Sequence, residues 1–202
     1  FGVAYGDQHR YPALRVRAKN YLFGAIYGSK GDEVHVVLEK QMLEEPSLAR
    51  LGIPTINEIR KGIANIRDIY GRYFHEWVPF ELEQIRGNDN TSLTCYGRPR
   101  KIPDLASRDK QEREAAEREA ISHIVQGTAA DIMRLAMLRV DKIPCGKLLL
   151  TVHDELISEV DNDMAEWYAK GMREAMELDQ PFEDVPLVIA VKSGETWLAC
   201  HR

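Results

Sequence analysis

Two cationic side chains and then two aromatic ones recur at four-residue intervals near the start of the chain: Arg15, Lys19, Phe23 and Tyr27. In an α-helix, each step of four residues drifts only about 40° around the axis, so one face would carry all four. Arginine and lysine bind phosphate oxygens and aromatic rings stack on bases, so this face would suit a nucleotide. The spacing also permits a simpler arrangement, in which both rings pack inward while both cations extend into solvent.

A second candidate is Asp154, which lies between His153 and Glu155 at the tip of a predicted hairpin. Magnesium takes oxygen ligands and commonly binds one or two protein carboxylates together with substrate phosphate oxygens. An aspartate in a turn can also simply hydrogen-bond its own backbone, and the local sequence does not exclude this. One carboxylate cannot hold two metal ions, so a two-metal site would need a second carboxylate from elsewhere.

Three polar side chains, Arg118, Ser122 and Gln126, share the same four-residue spacing in a long helical segment. Donors on one helical face can reach the acceptors that all base pairs present in the minor groove, and so sense pair shape without reading sequence. A solvated charged face explains the same spacing. The basic segment with Arg98, Arg100 and Lys101 is a further candidate, for a contact to phosphate.

Composition excludes several classes of protein. The 202 residues are 44% hydrophobic and 8% aromatic without low-complexity tracts, which excludes disordered and collagen-like chains. No apolar run reaches the roughly 20 residues that span a bilayer, so no membrane partner is expected. Three scattered cysteines form no CxxC pair, which predicts an intracellular protein without a disulfide scaffold or zinc ribbon.

Charge is unevenly distributed along the chain, although the net charge is −5. Residues 1–31 hold five basic side chains and one acidic, whereas residues 154–202 hold twelve acidic and four basic ones. Polyanion binding requires local positive potential rather than a positive total, so the basic start fits a phosphate-rich ligand. A chance asymmetry between solvated faces explains the same distribution equally well.

The first two thirds of the chain have the periodicity of helices, with apolar residues recurring every three or four positions. Pro79 should interrupt one helix, Gln126–Thr128 should disturb another, and residues 91–102 predict a short hairpin. The first and last of the predicted helices cover residues 11–27 and 109–140. A second helix follows Gly31 and should turn Val34, Val37, Leu38 and Met42 into the core. A third follows a capping box formed by Thr55 and Glu58.

The last third has the shorter runs typical of strands. Residues 147–152 and 155–160 are apolar runs with only two residues between them, which predicts a hairpin with Asp154 at its tip. A helix should follow, with Trp167 in the core, and then a final strand over 187–191. The predicted fold is α+β, a mainly helical lobe followed by a small antiparallel sheet backed by helices.

Taken together, these segments resemble the family A DNA polymerases, the family of bacterial polymerase I. Arg15–Gly28 matches motif B of the family's fingers helix, and Leu150–Leu156 matches its palm motif C. The resemblance implies a fingers subdomain over 1–110 and the C-terminal part of a palm subdomain over 111–202. Other matching segments, in family order, are Tyr96-Gly97-Arg98, Pro103-Asp104-Leu105, residues 113–118, residues 126–131 and residues 194–198.

The resemblance implies template-directed transfer of a nucleoside monophosphate from a dNTP to a primer 3′-hydroxyl, and a role for each candidate. Arg15 and Lys19 would hold the incoming triphosphate. Phe23 would stack on the incoming base, and Tyr27 would guard the insertion site. Asp154 would bind Mg²⁺, of which the complete site holds two ions.

The remaining candidates are implied to contact DNA or to lie near the metals. His153 would position the primer end and Glu155 would have a lesser role beside the metals. Ser122 stands where the family usually has asparagine, which puts that contact in question. The predicted DNA contacts are Gly28, Arg98, Arg100, Arg118, Ser122, Gln126 and His153.

The resemblance also implies a partner. Motif A of the family supplies the second metal-binding carboxylate, has no counterpart in this sequence and would lie before Phe1. The first residue is not methionine, so we expect a cut there and no DNA synthesis by residues 1–202 alone. The expected partners are primer–template DNA, a dNTP and the missing N-terminal polymerase portion.

Two alternatives remain open at the level of sequence. Single-subunit RNA polymerases share part of motif B, although their motif C differs from His153-Asp154-Glu155. A non-catalytic DNA-binding remnant would keep the basic and aromatic side chains, but would show no Mg²⁺-dependent nucleotide binding.

Overall fold

The computed structural model describes residues 12–28, 31–44, 52–178, 181–182 and 184–200. The chain divides into two compact units, the first made of residues 1–92 and 101–122 and the second of residues 93–100 and 123–202. The described part of the chain contains no helix that is both long and apolar enough to cross a bilayer. The fingers and palm boundaries at residues 110 and 111 stay a prediction.

The described part of the first unit is mainly helical, as the periodicity predicted. The hydroxyl of Thr55 accepts a hydrogen bond from the backbone N–H of Glu58, whose carboxylate accepts one from the backbone N–H of Thr55 at 2.7 Å. This capping box begins the third helix and confirms the prediction. The helices are α1 (Pro12–Ile26), α2 (Asp32–Glu44), α3 (Ile56–Ile69), α4 (Val78–Gly87) and α5 (Lys110–Ser122).

A small apolar core joins α1, α2 and α3. The prediction was wrong for Val37, which is 43% exposed. Adjacent residues in a helix point about 100° apart, so the burial of Leu38 turns Val37 away from the core. The Met42 side chain lies outside the described part of the chain. The buried members of the core, two from each helix, are Tyr21, Ala25, Val34, Leu38, Ile59 and Ile63.

Helices α1 and α3 approach closely because α3 has a glycine where they meet. A β-carbon on Gly62 would lie 2.6 Å from the ring of Tyr21, which is itself buried. On its other side, α1 is held to α2 by the Asn20 amide, which donates a hydrogen bond to Gln41 Oε1 at 2.8 Å. These contacts fix the rotation of α1 about its own axis.

A π-helical turn, Tyr73–Trp77, separates α3 from α4. Pro79 was expected to interrupt the third helix, and it occupies instead the second position of α4. A proline is tolerated there because the first backbone N–H groups of a helix have no partner within it. The interruption is therefore the π-helical turn that precedes the proline.

A short hairpin follows α4, with β1 (Thr91–Leu93) paired to β2 (Pro99–Lys101), as predicted. The hydroxyl of the buried Ser92 donates a hydrogen bond to the Ala120 carbonyl at 3.0 Å, which connects β1 to α5. A 3₁₀ turn, Pro103–Ala106, leads from the hairpin towards α5.

The second unit begins its helical part with a π-helical turn, His123–Gly127, which continues into α6 (Thr128–Val140). This turn is the irregularity that the sequence predicted near residues 126–128. Strands β3 (Gly146–Val152) and β4 (Glu155–Val160) then pair antiparallel, with Val152 opposite Glu155. The predicted hairpin is thereby confirmed, with His153 and Asp154 as its two-residue turn.

Helix α7 (Ala165–Glu177) packs against α6 and the hairpin, and a last short helix, α8, covers Trp197–Cys200. The prediction of a buried Trp167 was wrong, because this side chain is 50% exposed while its neighbour Tyr168 turns into the core. The buried residues of this core are Ala136, Val140, Tyr168, Met172 and Met176.

The predicted strand over 187–191 was also wrong, since these residues form no regular element. A strand needs a neighbouring strand that satisfies its backbone groups. The backbone N–H of Ile189 instead donates a hydrogen bond to Glu177 Oε1 at 2.9 Å, and Ile189 packs against the core.

The close contact of α1 and α3 predicts that Gly62→Ala destabilises the protein. Alanine normally stabilises a helix relative to glycine by about 1 kcal/mol, but the new methyl group would overlap the Tyr21 ring, and overpacking typically costs about 1–3 kcal/mol. Gly87→Ala in α4 is the matched control, because a β-carbon there meets no atom within 4 Å. Urea unfolding measures both, and equal effects of the two substitutions would contradict the packing.

Candidate functional site

The first candidate group is the row of four side chains on α1. Arg15, Lys19 and Phe23 are exposed, and Tyr27 is half-buried. Phe23 is 43% exposed, which rules out the simpler arrangement with both rings in the core. Lys19 Nζ lies 5.3 Å from the centroid of the Phe23 ring, within cation–π range, and the rings of Phe23 and Tyr27 are 6.1 Å apart. Arg15, Lys19 and Phe23 of the predicted stripe therefore face solvent on α1, and Tyr27 continues the row, half-buried, just after the helix ends.

The end of this row meets a second predicted DNA contact within the same unit. Gly28 has a φ of +75°, which ends α1, and a β-carbon on it would lie 2.9 Å from Arg118 Cδ. The structure thus brings Gly28 and Arg118 together, although they are far apart in sequence. Glycine is required here on two grounds, the left-handed backbone and the close side chain.

Tyr73 is a neighbour of the row that sequence reasoning did not identify. Burial raises the pKa of the Tyr73 phenol, and the nearby Tyr27 phenol raises it further. The Tyr73 phenol consequently stays neutral near pH 7. The helical periodicity placed Tyr73 in an apolar row, and no local signal connects it to Tyr27.

The prediction that Arg118, Ser122 and Gln126 share one face assumed an uninterrupted α-helix. Arg118 and Ser122 are half-buried on α5, but Gln126 lies in the π-helical turn, where it is exposed. Because a π-helical turn changes the number of residues per turn, four-residue spacing no longer determines where Gln126 points. The roles of all three residues stay predictions.

The second candidate group lies at the turn between β3 and β4. His153, Asp154 and Glu155 are all exposed. His153 has a φ of +54°, in the left-handed region that a tight hairpin turn requires. Among the described residues, Asp154 takes part in no hydrogen bond or ion pair, so it does not simply stabilise its own turn.

These carboxylates do not by themselves form a closed metal site. Among the described residues, no group of three or more His, Cys, Asp or Glu side chains is arranged to hold a metal ion. Asp154 offers one carboxylate at an open turn, and the expectation that a second carboxylate comes from elsewhere stays a prediction. The chemistry of this donor set suits a hard cation such as Mg²⁺.

The basic segment at the first hairpin differs from the expectation. The Arg98 guanidinium donates to Asp131 Oδ1 at 2.7 Å and to the Gly127 carbonyl at 3.0 Å, all within the second unit. Lys101 Nζ lies 2.6 Å from Asp89 Oδ2. Arg100 is exposed. Sequence reasoning missed the pairing of Arg98 with Asp131, because no local pattern connects residues so far apart.

The α1 row belongs to the first unit and the hairpin turn with Asp154 to the second. That the two face one another across a nucleotide stays a prediction.

Comparisons with known proteins identify relatives of the whole described chain. A family model described as DNA polymerase family A matches residues 3–199. The thermostable DNA polymerase I of Thermus filiformis is 36% identical over 194 residues, which cover 95% of this chain and 21% of the relative. DNA polymerase I of Mycobacterium leprae is 36% identical over 196 residues, which cover 92% of this chain and 19% of the relative.

A solved structure gives the same result. The POL domain of Pol1 from M. smegmatis, in complex with DNA primer–template and dNTP, superposes with a TM-score of 0.75 at 31% identity, covering 95% of this chain and 32% of that chain. The chain spans about a fifth of the length of the curated relatives it matches.

The contact of Gly28 with Arg118 predicts a cost for Gly28→Ala beyond backbone strain. Left-handed backbone costs a non-glycine residue about 1–2 kcal/mol, and the crowding of Arg118 adds to it. Gly97→Ala is the control, because Gly97 has a φ of +78° and no atom within 4 Å of a built β-carbon. In denaturant unfolding, Gly28→Ala should cost more than Gly97→Ala, and the excess should fall when Arg118 is also replaced by alanine. An excess that survives Arg118→Ala would contradict this geometry.

Proposed function

This chain belongs to DNA polymerase family A, and from that membership we propose that it forms the nucleotide-binding and part of the metal-binding half of a DNA-directed DNA polymerase. The reaction is transfer of a deoxynucleoside monophosphate from a dNTP to a primer 3′-hydroxyl. The observation that carries the proposal is the exposed row on α1, in which a lysine lies over a phenylalanine ring. The similar M. smegmatis structure is a complex with DNA primer–template and dNTP, which supports the same chemistry.

The α1 row would bind the incoming dNTP along its length. Arg15 and Lys19 would contact triphosphate oxygens, the arginine as a two-pronged donor and the lysine as a point charge. Phe23 would stack on the base, and Tyr27 would close the insertion site beside the template. Because catalysis of phosphoryl transfer is mainly positioning and charge stabilisation, these side chains need not be nucleophiles or bases.

Asp154 would hold Mg²⁺ together with a second carboxylate from the polymerase portion outside this chain. Its exposed carboxylate, which has no partner among the described residues, fits that role. When bound, the two ions of the complete site would neutralise phosphate charge and activate the primer hydroxyl. His153 would hold the primer end, and Glu155 would lie near the metals with a lesser role.

The DNA contacts would come from both units. In the first, Gly28 and Arg118 would lie beside the template and the minor groove of the new pair, with Ser122 in the place of the family's usual asparagine. In the second, Gln126 would contact the minor groove and Arg100 would contact the phosphate backbone. We assign residues 1–110 to fingers and 111–202 to palm, in an intracellular polymerase.

The alternatives left open by the sequence are less well supported. The matches are to DNA polymerases, which does not favour a single-subunit RNA polymerase or a non-catalytic remnant. Comparison of dNTP with NTP incorporation by the complete polymerase distinguishes a DNA polymerase from a single-subunit RNA polymerase. Mg²⁺-dependent dNTP binding distinguishes a DNA polymerase from a non-catalytic remnant.

We predict that Lys19→Ala in the complete polymerase weakens dNTP use. Loss of a hydrogen bond to a charged group costs about 1.5–3 kcal/mol, which corresponds to roughly a ten- to hundredfold loss in affinity or incorporation rate. Single-turnover incorporation at varied dNTP concentration measures it. Lys40→Ala, at an exposed position on α2, removes the same charge away from the row and should leave the kinetics unchanged. If Lys19→Ala and Lys40→Ala have the same incorporation kinetics, the assignment of Lys19 to the triphosphate is wrong.

We predict that Asp154→Ala abolishes nucleotide transfer while primer–template binding is retained. Removal of one electrostatic group from a phosphoryl-transfer site costs about a hundredfold or more in rate. Asp161→Ala, just after β4 and also exposed, is the matched control. Rapid-quench incorporation and DNA-binding titration measure the two properties. Wild-type turnover by the Asp154 variant would exclude it as a metal ligand.

A further inference from the structure

A buried polar cluster in the second unit has no part in the proposed function. It connects the loop of the first hairpin, residues 94–98, to the π-helical turn His123–Gly127 and to the start of α6. The turn carries Gln126, which is exposed. π-Helical turns are rare and occur mostly as single turns within α-helices, frequently at functional sites, so the contacts that hold this one bear on function.

Arg98 connects the loop to the turn through two of its guanidinium nitrogens. Nε donates to Asp131 Oδ1 at 2.7 Å, and Nη2 donates to the Gly127 carbonyl at 3.0 Å. The planar guanidinium holds its donors in a fixed fork, so it sets the distance between the carboxylate on α6 and the last carbonyl of the turn. The single ammonium nitrogen of a lysine lacks this planar pair of donors, so it would not hold the two acceptors in the same geometry.

A second connection runs beside the first. The backbone N–H of Cys95 donates to Thr128 Oγ1 at 3.0 Å, and this hydroxyl donates to the Ile124 carbonyl at 2.5 Å. The loop is itself closed, since the backbone N–H of Arg98 donates to Thr94 Oγ1 at 3.1 Å. A rigid loop is therefore bound to the turn near both of the turn's ends.

The loop lies directly against the backbone of the turn. A β-carbon on Gly127 would lie 2.8 Å from Thr94 Cγ2 and 3.2 Å from Arg98 Nη2. A side chain at position 127 would force Thr94 to shift and would crowd the Arg98 guanidinium, so glycine favours the contact of Arg98 with the Gly127 carbonyl.

The acceptor carboxylate is ionised. Burial raises the pKa of Asp131, but the hydrogen bonds from Thr94 and Arg98, together with the charges on Arg98 and Arg134, lower it to a net value below the usual range. Asp131 Oδ1 also accepts from Arg134 Nη1 at 3.0 Å. The Arg98 pair is thus charged on both sides, with a buried carboxylate and a partly exposed guanidinium.

We propose that Arg98 is a positioning residue, which holds the π-helical turn and so presents Gln126 in the geometry that DNA contact requires. The proposal rests on the proposed function, because Gln126 is assigned to DNA there. It replaces the phosphate contact expected of Arg98, whose Nε and Nη2 already have acceptors inside the protein.

Amide hydrogen exchange in the complete polymerase tests the positioning directly. Arg98→Lys keeps the charge beside Asp131 but loses the fork, so the peptide covering residues 123–128 should exchange at least about tenfold faster than in the wild type. Arg100→Lys is the control and should leave that peptide unchanged, and a peptide from α7 should be unaffected in both variants. Wild-type exchange over 123–128 in the Arg98 variant would overturn the proposal.

The salt dependence of primer–template binding distinguishes positioning from a phosphate contact. Loss of one phosphate contact lowers the slope of log K against log salt by about one unit. Arg98→Ala should bind more weakly with the wild-type slope, whereas Arg100→Ala should lose about one unit. A reduced slope for Arg98→Ala would overturn the proposal.

A double-mutant cycle with Gln126→Ala completes the test. If Arg98 acts through Gln126, Arg98→Ala should cause several-fold less loss of nucleotide incorporation in the Gln126→Ala background than in the wild type. If Arg98→Ala causes the same fold loss of incorporation in the Gln126→Ala background as in the wild type, the proposal is overturned. Failure of the wild-type polymerase to bind primer–template would instead refute the proposed function, and the exchange experiment would still decide the role of Arg98.

Discussion

The contact between Tyr21 of α1 and Gly62 of α3 determines what the first unit can present to a ligand. The ring occupies the space that a side chain at position 62 would fill, and the burial of Ala25 continues the same row. A helix has 3.6 residues per turn, so once this row faces inward, the row from Arg15 to Tyr27 must face away. The cations and rings of the outward row become accessible to a ligand only through that constraint.

A comparable constraint acts at the hairpin of the second unit. The pairing of Val152 with Glu155 leaves two residues for the turn, and His153 takes the left-handed conformation. Asp154 is thereby held on a short, defined turn without a hydrogen bond or ion pair among the described residues. An exposed carboxylate in that situation adds little to folding stability. Its position on a rigid element is what a ligand for a cation requires.

Local patterns in the sequence predicted most of the architecture. Helical periodicity, the Thr55 capping box and the short link between β3 and β4 each have a local physical cause and were confirmed. Errors arose where tertiary contacts choose between neighbouring residues: Val37 and Trp167 each lost the buried position to the next residue along the helix. The strand expected over 187–191 also depended on a neighbour, because an alternating pattern cannot supply hydrogen-bonding partners.

The site was predictable in part. The spacing of Arg15, Lys19, Phe23 and Tyr27 placed them on one face, but only the packing of α1 decided that the face is solvent-exposed. The link between Arg98 and Asp131 could not be predicted, because it depends on how a loop folds onto a distant π-helical turn.

The central claim is the proposal that the α1 row binds the incoming dNTP and that Asp154 binds the metal ion of the same reaction, and affinity cleavage tests it most directly. Fe²⁺ is substituted for Mg²⁺ in the complete polymerase, with primer–template DNA, a dNTP, ascorbate and hydrogen peroxide. Fe²⁺ reduces the peroxide to hydroxyl radicals that cut the backbone nearest the metal, and ascorbate returns Fe³⁺ to Fe²⁺. We predict dNTP-dependent cuts both around residues 152–155 and within residues 15–23. Cuts confined to one of the two segments, or independent of the dNTP, would contradict the account.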